Sequence, residues 1–308
     1  MKKHYIIPII APNLGCLNEC IFCNQKIMSK QQTQVTKEDV EKIVEEYLAN
    51  FDDENAQIEI AFFGGSFTAL DVAKQEELLS AAYQFVKQKK VDGIRISTKP
   101  NCIDRKILKR LKKYKVKTIE LTAQSSNDYL LKRSGRGYTF QDIKKASRLI
   151  RWYGFTLGHQ IMCGLPDSTR VDEMKTAVYF SKLKPKFVRI HLLFVLKDTK
   201  LEEEYKKGIY EPLTCRQAVE VCKELYYFFD FKKIPIAQMG MPTIATICNP
   251  EEEGSQLVAG PYDEALEQRV EDAVWYEKMV DKIKMFNMKV REIEVRVNPA
   301  NINHVIRT

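Results

Sequence analysis

The chain has 308 residues, 29% of them charged, with a formal net charge of +8. That length is enough for a large buried core, as one barrel-like domain with an appendage or as two domains, and no run is long and apolar enough to span a bilayer. The charge permits an anionic partner, such as RNA or a phosphorylated or carboxylated substrate, without proving one. Eight cysteines without a secretory signal argue against a disulfide framework and place the chain in the reducing cytosol. The opening MKKHYIIPIIAP has a basic start and an apolar run, but the run is short and holds Pro8 and Pro12. It reads as a first buried strand, about residues 4–10, leading into a cysteine-rich loop.

Strands and helices then alternate. Thr36, with Asp39 three positions on, caps a helix whose Val40, Ile43, Val44, Tyr47 and Leu48 share one face. Further strands are expected at 58–63, 93–96, 118–122, 156–162 and 187–192, and one more at 234–238. Helices are expected at 70–89, 107–114, 127–132, 140–153 and 171–182, and from a Thr214–Gln217 capping box to about 229. Such repeats imply a parallel sheet with helices outside. After Pro242 the alternation stops. Residues 249–255 form a polar link, a helix follows over about 263–285, and 290–297 alternates as a strand. The last residues read as the start of another helix in a unit that looks incomplete. The expected division is 1–243 for the core and 244–308 for a C-terminal extension. Neither an internal repeat nor a low-complexity segment is present.

The loop after the first strand reads Cys16-Leu-Asn-Glu-Cys20-Ile-Phe-Cys23. Soft thiolates at this C-x3-C-x2-C spacing suit an iron–sulfur cluster or zinc. Three ligands on a [4Fe–4S] cube leave one iron open, and Phe22 is placed to keep water off. A structural zinc site or ordinary reduced cysteines are the alternatives. Zinc wants a fourth ligand nearby, yet the next cysteine is Cys102 and the four histidines are scattered.

Active-site loops of parallel sheets lie at the C-terminal strand ends, and the remaining candidates all fall there. Gly64-Gly65-Ser66-Phe67-Thr68 follows the second strand, where glycines let backbone approach a ligand; the alternative is a plain strand-to-helix turn. Ser97-Thr98 follows the third strand and Gln124-Ser125 the fourth. Ser134-Gly-Arg136-Gly-Tyr138-Thr lies beyond, and Gln160-Ile-Met162-Cys-Gly-Leu-Pro-Asp167 ends the fifth strand. Strand capping at Ser97, a solvated Arg136 and a core Met162 are the bland readings. Lys106, Lys109, Arg110, Lys112, Lys113, Lys115 and Lys117 crowd one helix and its exit, as an RNA-facing patch or a solvated outer face. Cys102, Cys163, Cys215, Cys222 and Cys248 form no second cluster.

The cysteine loop resembles the signature of the radical S-adenosylmethionine (SAM) superfamily, whose architecture is a partial TIM-like barrel. Periodicity alone does not separate that barrel from a doubly wound sheet. The expected fold is therefore α/β, a partial (β/α)6 TIM-like radical SAM barrel with a small α/β C-terminal extension. Residues 5–243 look like the branch of Elongator protein 3 and oxygen-independent coproporphyrinogen III oxidase. The Gly-Gly-Ser-Phe-Thr, Ser-Gly-Arg-Gly-Tyr-Thr, Phe187-Val-Arg-Ile and Leu201–Gly208 stretches are more similar to the Elongator side. So is Val258-Ala-Gly-Pro-Tyr262, which is similar to short bacterial members lacking the acetyltransferase domain.

The resemblance implies that Cys16, Cys20 and Cys23 hold a [4Fe–4S] cluster and that SAM binds its open iron. Reductive cleavage then releases a 5′-deoxyadenosyl radical, with flavodoxin or ferredoxin as electron donor. It implies SAM contacts at Gly64, Gly65, Ser66, Ser97, Gln124, Arg136, Gln160 and Met162. Arg136 would pair with the SAM carboxylate, Met162 would face adenine, and Gln160 would take an acidic position near the ribose. Tyr138 stands where a His is usual, Ser66 where Glu is often found, and Asp167 where Gly is found. RNA, classically a tRNA wobble uridine, is the implied substrate. Carboxymethyl transfer does not carry over, since the acetyltransferase domain has no counterpart. A small molecule such as a porphyrin, or a non-catalytic metal protein, are the other readings.

Overall fold

The computed structural model describes residues 3–10, 20–24, 35–53, 55–240 and 254–285. Seven strands form one sheet: β1 (His4–Ile10), β2 (Gln57–Phe63), β3 (Gly93–Thr98), β4 (Val116–Gln124), β5 (Thr156–Cys163), β6 (Phe187–Leu192) and β8 (Ile236–Gly240). Every pairing is parallel, and the spatial order follows the chain. A doubly wound sheet reverses its order at a switch point. This sheet does not, and it curls into a half-barrel. The Ile236–Gly240 strand bears out the expected seventh strand, two residues later than read.

Helices cover the outside: α1 (Lys37–Asn50), α2 (Val72–Lys87), α3 (Arg105–Lys113), α4 (Asp128–Arg133), α5 (Phe140–Trp152), α6 (Arg170–Lys182), α7 (Lys200–Lys206) and α8 (Cys215–Lys232). Capping boxes start α1 at Thr36 and α8 at Thr214, as the sequence predicts, and also α5 at Thr139 and α6 at Thr169. Each box satisfies two otherwise orphaned N–H groups. The outer sheet face is aliphatic: Ile60, Phe62, Ile94, Ile96, Ile119 and Leu121 are buried with helical Leu78, Leu108, Leu111 and Phe180. Each such side chain contributes about 1.5–3 kcal/mol by leaving water.

The inner face is ionic. Alternation points Glu59, Arg95, Glu120, Gln160 and Arg189 inward. Arg95 donates to Glu59 and, at 2.7 Å, to Glu120 Oε1; Arg189 Nε donates to Glu120 Oε2 at 2.8 Å. Thr118 and His4 complete Glu59 at 3.0 and 3.1 Å. Below this layer the Phe187 ring lies 4.9 Å from the Arg95 guanidinium. It fits there because residue 158 is glycine: a Cβ would meet the ring at 2.4 Å. The ring therefore occupies the space that this glycine leaves beneath the ionic layer.

Three short elements went unread. β7 (Val195–Leu196) pairs antiparallel with β9 (Leu257–Ala259), and α7 follows β7. The last described helix, α9 (Leu266–Lys284), packs on α8, where Lys223 Nζ meets Glu277 at 2.5 Å and the Tyr227 hydroxyl donates to Val274 O at 3.0 Å. The strand expected at 290–297 and the helix after it lie outside the described residues, as does most of the 249–255 link.

Candidate active site

All seven strands run the same way, so the loops at their C-terminal ends share one rim. Cys20 and Cys23 sit there in a tight turn, with Cys23 N–H donating to Cys20 O at 3.0 Å. Cys16 lies outside the described residues. Among the bonds that hold the segment are Ile21 N–H to Ser134 O (3.3 Å), Leu201 N–H to Ile21 O (2.8 Å) and Asn24 Nδ2 to Lys197 O (3.1 Å). Its clamps are thus the end of α4 and the start of α7. Ile21 and Phe22 pack on Leu130, Leu165, Leu193, Val195 and Leu201, with Met162 beside them. This apolar cluster packs around Ile21 and Phe22, between Cys20 and Cys23 in the turn.

Arg136 reaches the same sulfur. Its Nη1 lies 3.2 Å from Cys20 Sγ, its Nη2 donates to Thr122 O and Oγ1 at 2.9 and 3.0 Å, and its Nε donates to the Tyr138 hydroxyl at 2.8 Å. The Phe22 ring lies 5.9 Å away. Burial works against the guanidinium charge, but the Tyr138 oxygen and the Cys20 sulfur outweigh it and hold the group above its ordinary value. The Tyr138 phenol is pushed up to about 12 by burial, against the pull of Arg136, and it donates to Thr122 O. The tyrosine in the place of the usual histidine therefore serves as a neutral strut for the arginine.

The Gly-Gly loop is built as glycine requires. Gly64 has φ +100, a region that disfavours any side chain, and both glycines stay half-open. Ser66 is 2% exposed, and its Oγ accepts the Lys99 N–H at 3.2 Å. Its hydroxyl ties the β2 loop to the β3 loop. Ser97 is also buried, 3.4 Å from Gln160 Nε2. Gln160 Nε2 donates in turn to Glu120 Oε2 at 3.2 Å. An acid at position 160 would set two carboxylates against each other; the amide donates instead. Burial opposes ionisation of Glu120, but Arg189 and Arg95 outweigh it and hold its carboxyl below the ordinary range.

Gln124 ends β4 at φ +64, with its Oε1 buried and without a hydrogen-bond partner among the described residues. A buried acceptor left open on this rim costs free energy until a donor arrives. Together with soft sulfur donors beside a permanent cation, this orphan fits a site made for an anionic iron–sulfur group and a polar ligand. Among the described residues no three metal-binding side chains converge, Cys16 being outside that set.

Met162 lies two residues on from Gln160, on the same face, and half-buried. It stands in register with His191 of β6, which lies two residues on from Arg189. His191 escaped the sequence reading, though strand alternation from Arg189 would have placed it inside the mouth. Burial, with Arg189 second, pushes its imidazole down to about 4, so it is neutral at physiological pH. The β5 loop is fixed by Glu173, which accepts from Gly164 N–H (3.0 Å) and Ser168 Oγ (2.9 Å). Tyr210 OH donates to Gly164 O at 2.8 Å. Burial lifts the Glu173 carboxyl to about 7.

Comparison with known proteins agrees with this geometry. The Radical SAM superfamily model matches residues 10–178, and the Radical_SAM C-terminal domain model matches 185–275. An uncharacterized protein of Methanocaldococcus jannaschii, MJ0486, is 29% identical over 217 residues, 69% of this chain and 63% of that protein. The tRNA uridine(34) acetyltransferase of the same organism is 25% identical over 185 residues, 54% of this chain and 34% of that protein. The chain thus spans less than two thirds of either. Among solved structures, Methanocaldococcus infernus Elp3 with residues 1–46 deleted superposes with a TM-score of 0.64 at 20% identity, covering 92% of this chain and 64% of that one. No described helix is long and apolar enough to cross a membrane. With the cysteine turn, the sequential parallel half-barrel and both family models in agreement, this chain belongs to the radical SAM superfamily and is an enzyme of it, similar to the Elongator protein 3-like branch.

Proposed function

We propose that the enzyme acts on RNA, with tRNA the first substrate class to test. The observation that carries this is the similarity to tRNA uridine(34) acetyltransferase over 185 residues, 54% of this chain. In this reading Cys16, Cys20 and Cys23 hold a [4Fe–4S] cluster. Gly64 and Gly65 offer backbone groups to SAM, Gln124 Oε1 waits for a donor, and Met162 supplies an apolar surface. Ser66, Ser97 and Gln160 sit one layer back, where their hydrogen bonds keep the strand ends in place. Arg136 holds its charge beside Cys20, close to where a SAM carboxylate would approach the cluster. When bound, the cluster supplies the one electron that cleaves the SAM sulfonium and yields a 5′-deoxyadenosyl radical. Phe22, Leu130 and Leu165 form an apolar cluster beside the cysteine turn, which would limit water at a bound cluster.

The test adds tRNA to reconstituted enzyme and SAM, with an electron donor such as flavodoxin or ferredoxin. 5′-Deoxyadenosine formation should rise on addition of tRNA, and nucleoside mass spectrometry of that tRNA should show one altered residue. Yield unmoved by tRNA but raised by a porphyrinogen would replace RNA with a small molecule as the substrate.

A further inference from the structure

The positive charge of this protein is concentrated in two neighbouring segments. Residues 104–117, which contain α3, and 139–152, which contain α5, hold twelve Lys and Arg against Asp104 and Asp142. Their net charge of +10 exceeds the +8 of the whole chain, so all other residues together carry −2. Both aspartates are committed to helix caps, Asp104 to Ile107 N–H at 2.7 Å and Asp142 to Thr139 N–H at 2.9 Å. The segments are neighbours in space. Arg105 stacks 5.6 Å from the Trp152 ring, and Lys112 Nζ donates to Tyr153 O at 2.8 Å.

Two features separate this face from an ordinary solvated one. On α1 and α7 the surface lysines are interleaved with glutamates, as Lys37–Glu41 and Lys42–Glu46 on the first and Lys206–Glu202 and Lys207–Glu203 on the second. On α3 and α5, among the described residues, only Arg110 has a carboxylate within reach, Glu76 at 3.9 Å. Arg105, Lys106, Lys109, Lys113, Lys145 and Arg148 are exposed and repel one another. Trp152, moreover, is 71% exposed in their midst, with Tyr153 edge-on at 5.3 Å. An exposed tryptophan beside an arginine and amid cations without carboxylate partners matches the stacking and phosphate-tracking surface of single-stranded or looped nucleic acid.

We infer that the outer face of α3 and α5 is an RNA-docking surface, in which the lysines and arginines contact phosphates and Trp152 stacks on an unpaired base. This rests on the RNA reading above and adds where the RNA is held: on the helix layer, apart from the barrel mouth. The contacts position the RNA and carry no base sequence information, so selectivity is left to the mouth.

The test measures fluorescence anisotropy of labelled tRNA against the full chain from 50 to 200 mM KCl. It compares wild type, the triple variant Lys109→Gln/Lys113→Gln/Arg148→Gln, and Trp152→Ala. Each phosphate contact contributes roughly 0.7–0.9 to the slope of log affinity on log salt. The triple variant should therefore flatten that slope by about two and bind at least about tenfold more weakly at 50 mM. Trp152→Ala should bind about tenfold more weakly with the slope unchanged. Neither set touches the barrel mouth, so SAM cleavage without RNA should match wild type in both. Wild type that binds tRNA while the triple variant binds with the same slope and affinity overturns the docking surface and leaves the RNA reading standing. Wild type that does not bind tRNA, but binds vesicles containing phosphatidylserine, overturns both.

Discussion

Gln160→Glu makes a sharp test of the inner ionic layer, because it places an acid where the similar family stretch carries one. In the structure Gln160 Nε2 donates to Glu120 Oε2 at 3.2 Å, beside the Arg189 Nε bond at 2.8 Å. A glutamate there removes a hydrogen bond to a charged group, worth about 1.5–3 kcal/mol. It also sets a second carboxylate at that distance, a repulsion of about 5 kcal/mol at an effective dielectric near 20, which the shared Arg189 charge partly offsets. The expected loss is about 3–5 kcal/mol, in the range for spoiling a buried ion pair. At roughly 2–4 °C per kcal/mol this lowers Tm by about 6–20 °C at pH 7.5. The variant can escape by protonating the introduced carboxyl, which then donates to Glu120. That carboxyl is thus raised in the folded state, and the deficit should shrink as pH falls from 7.5 to 5.5. Differential scanning calorimetry at both pH values reads this. A Tm within 2 °C of wild type at pH 7.5, or a gap that widens on acidification, would refute the reasoning.

Further outcomes follow from the same contacts. Glu173 sits with its carboxyl raised from 4.5 to about 7; that raised value lends stability below pH 4.5 which is lost as pH climbs through 7. Glu173→Gln keeps an acceptor for Gly164 and Ser168 without the titration, so urea midpoints should favour the variant at pH 8 by up to about 3 kcal/mol and match wild type near pH 4.5. His191 and His159 are lowered by burial to about 4 and about 3. Their neutral forms support the fold above pH 6.5 and that support fades as pH falls toward those values; NMR should find neither ring titrating above pH 5. Arg136→Gln removes the N–H donor and the charge beside Cys20 Sγ. Hydrogen bonds to cluster sulfurs set reduction potential, so the variant's iron–sulfur centre should become harder to reduce in an EPR-monitored titration, and an unchanged potential with full iron loading would count against that contact.

The helical layer is readable because its helices combine an apolar periodicity with polar N-caps, Thr36 for α1 and Thr214 for α8 among them. Thr36 with Asp39 marks the start of α1 in the sequence, and the same signature stands at Thr139 and Thr169, before the helices expected at 140–153 and 171–182. β7 and β9 were not readable, since strands of two and three residues carry no period. The ionic barrel interior went unread for a different reason. Glu59, Arg95, Glu120 and Arg189 each stand in an apolar strand, where alternation assigns charge to a solvated face; in a curled sheet that face is the inside, and the charges pair with each other. Arg136 shows where resemblance stops. A family motif points its fork at a ligand, while the contacts among this chain's own residues, to Cys20, Thr122 and Tyr138, needed the fold to bring β4 and the cysteine turn together.

The most direct test of the central claim is reductive SAM cleavage. Anaerobically iron-reconstituted protein is reduced with dithionite, given SAM and assayed for 5′-deoxyadenosine, with Cys20→Ala run in parallel. Product from the wild type, with iron and a broad absorbance that Cys20→Ala lacks, is the result expected of a [4Fe–4S] radical SAM enzyme. Bound zinc, no iron chromophore and no 5′-deoxyadenosine from well-folded wild type would contradict it.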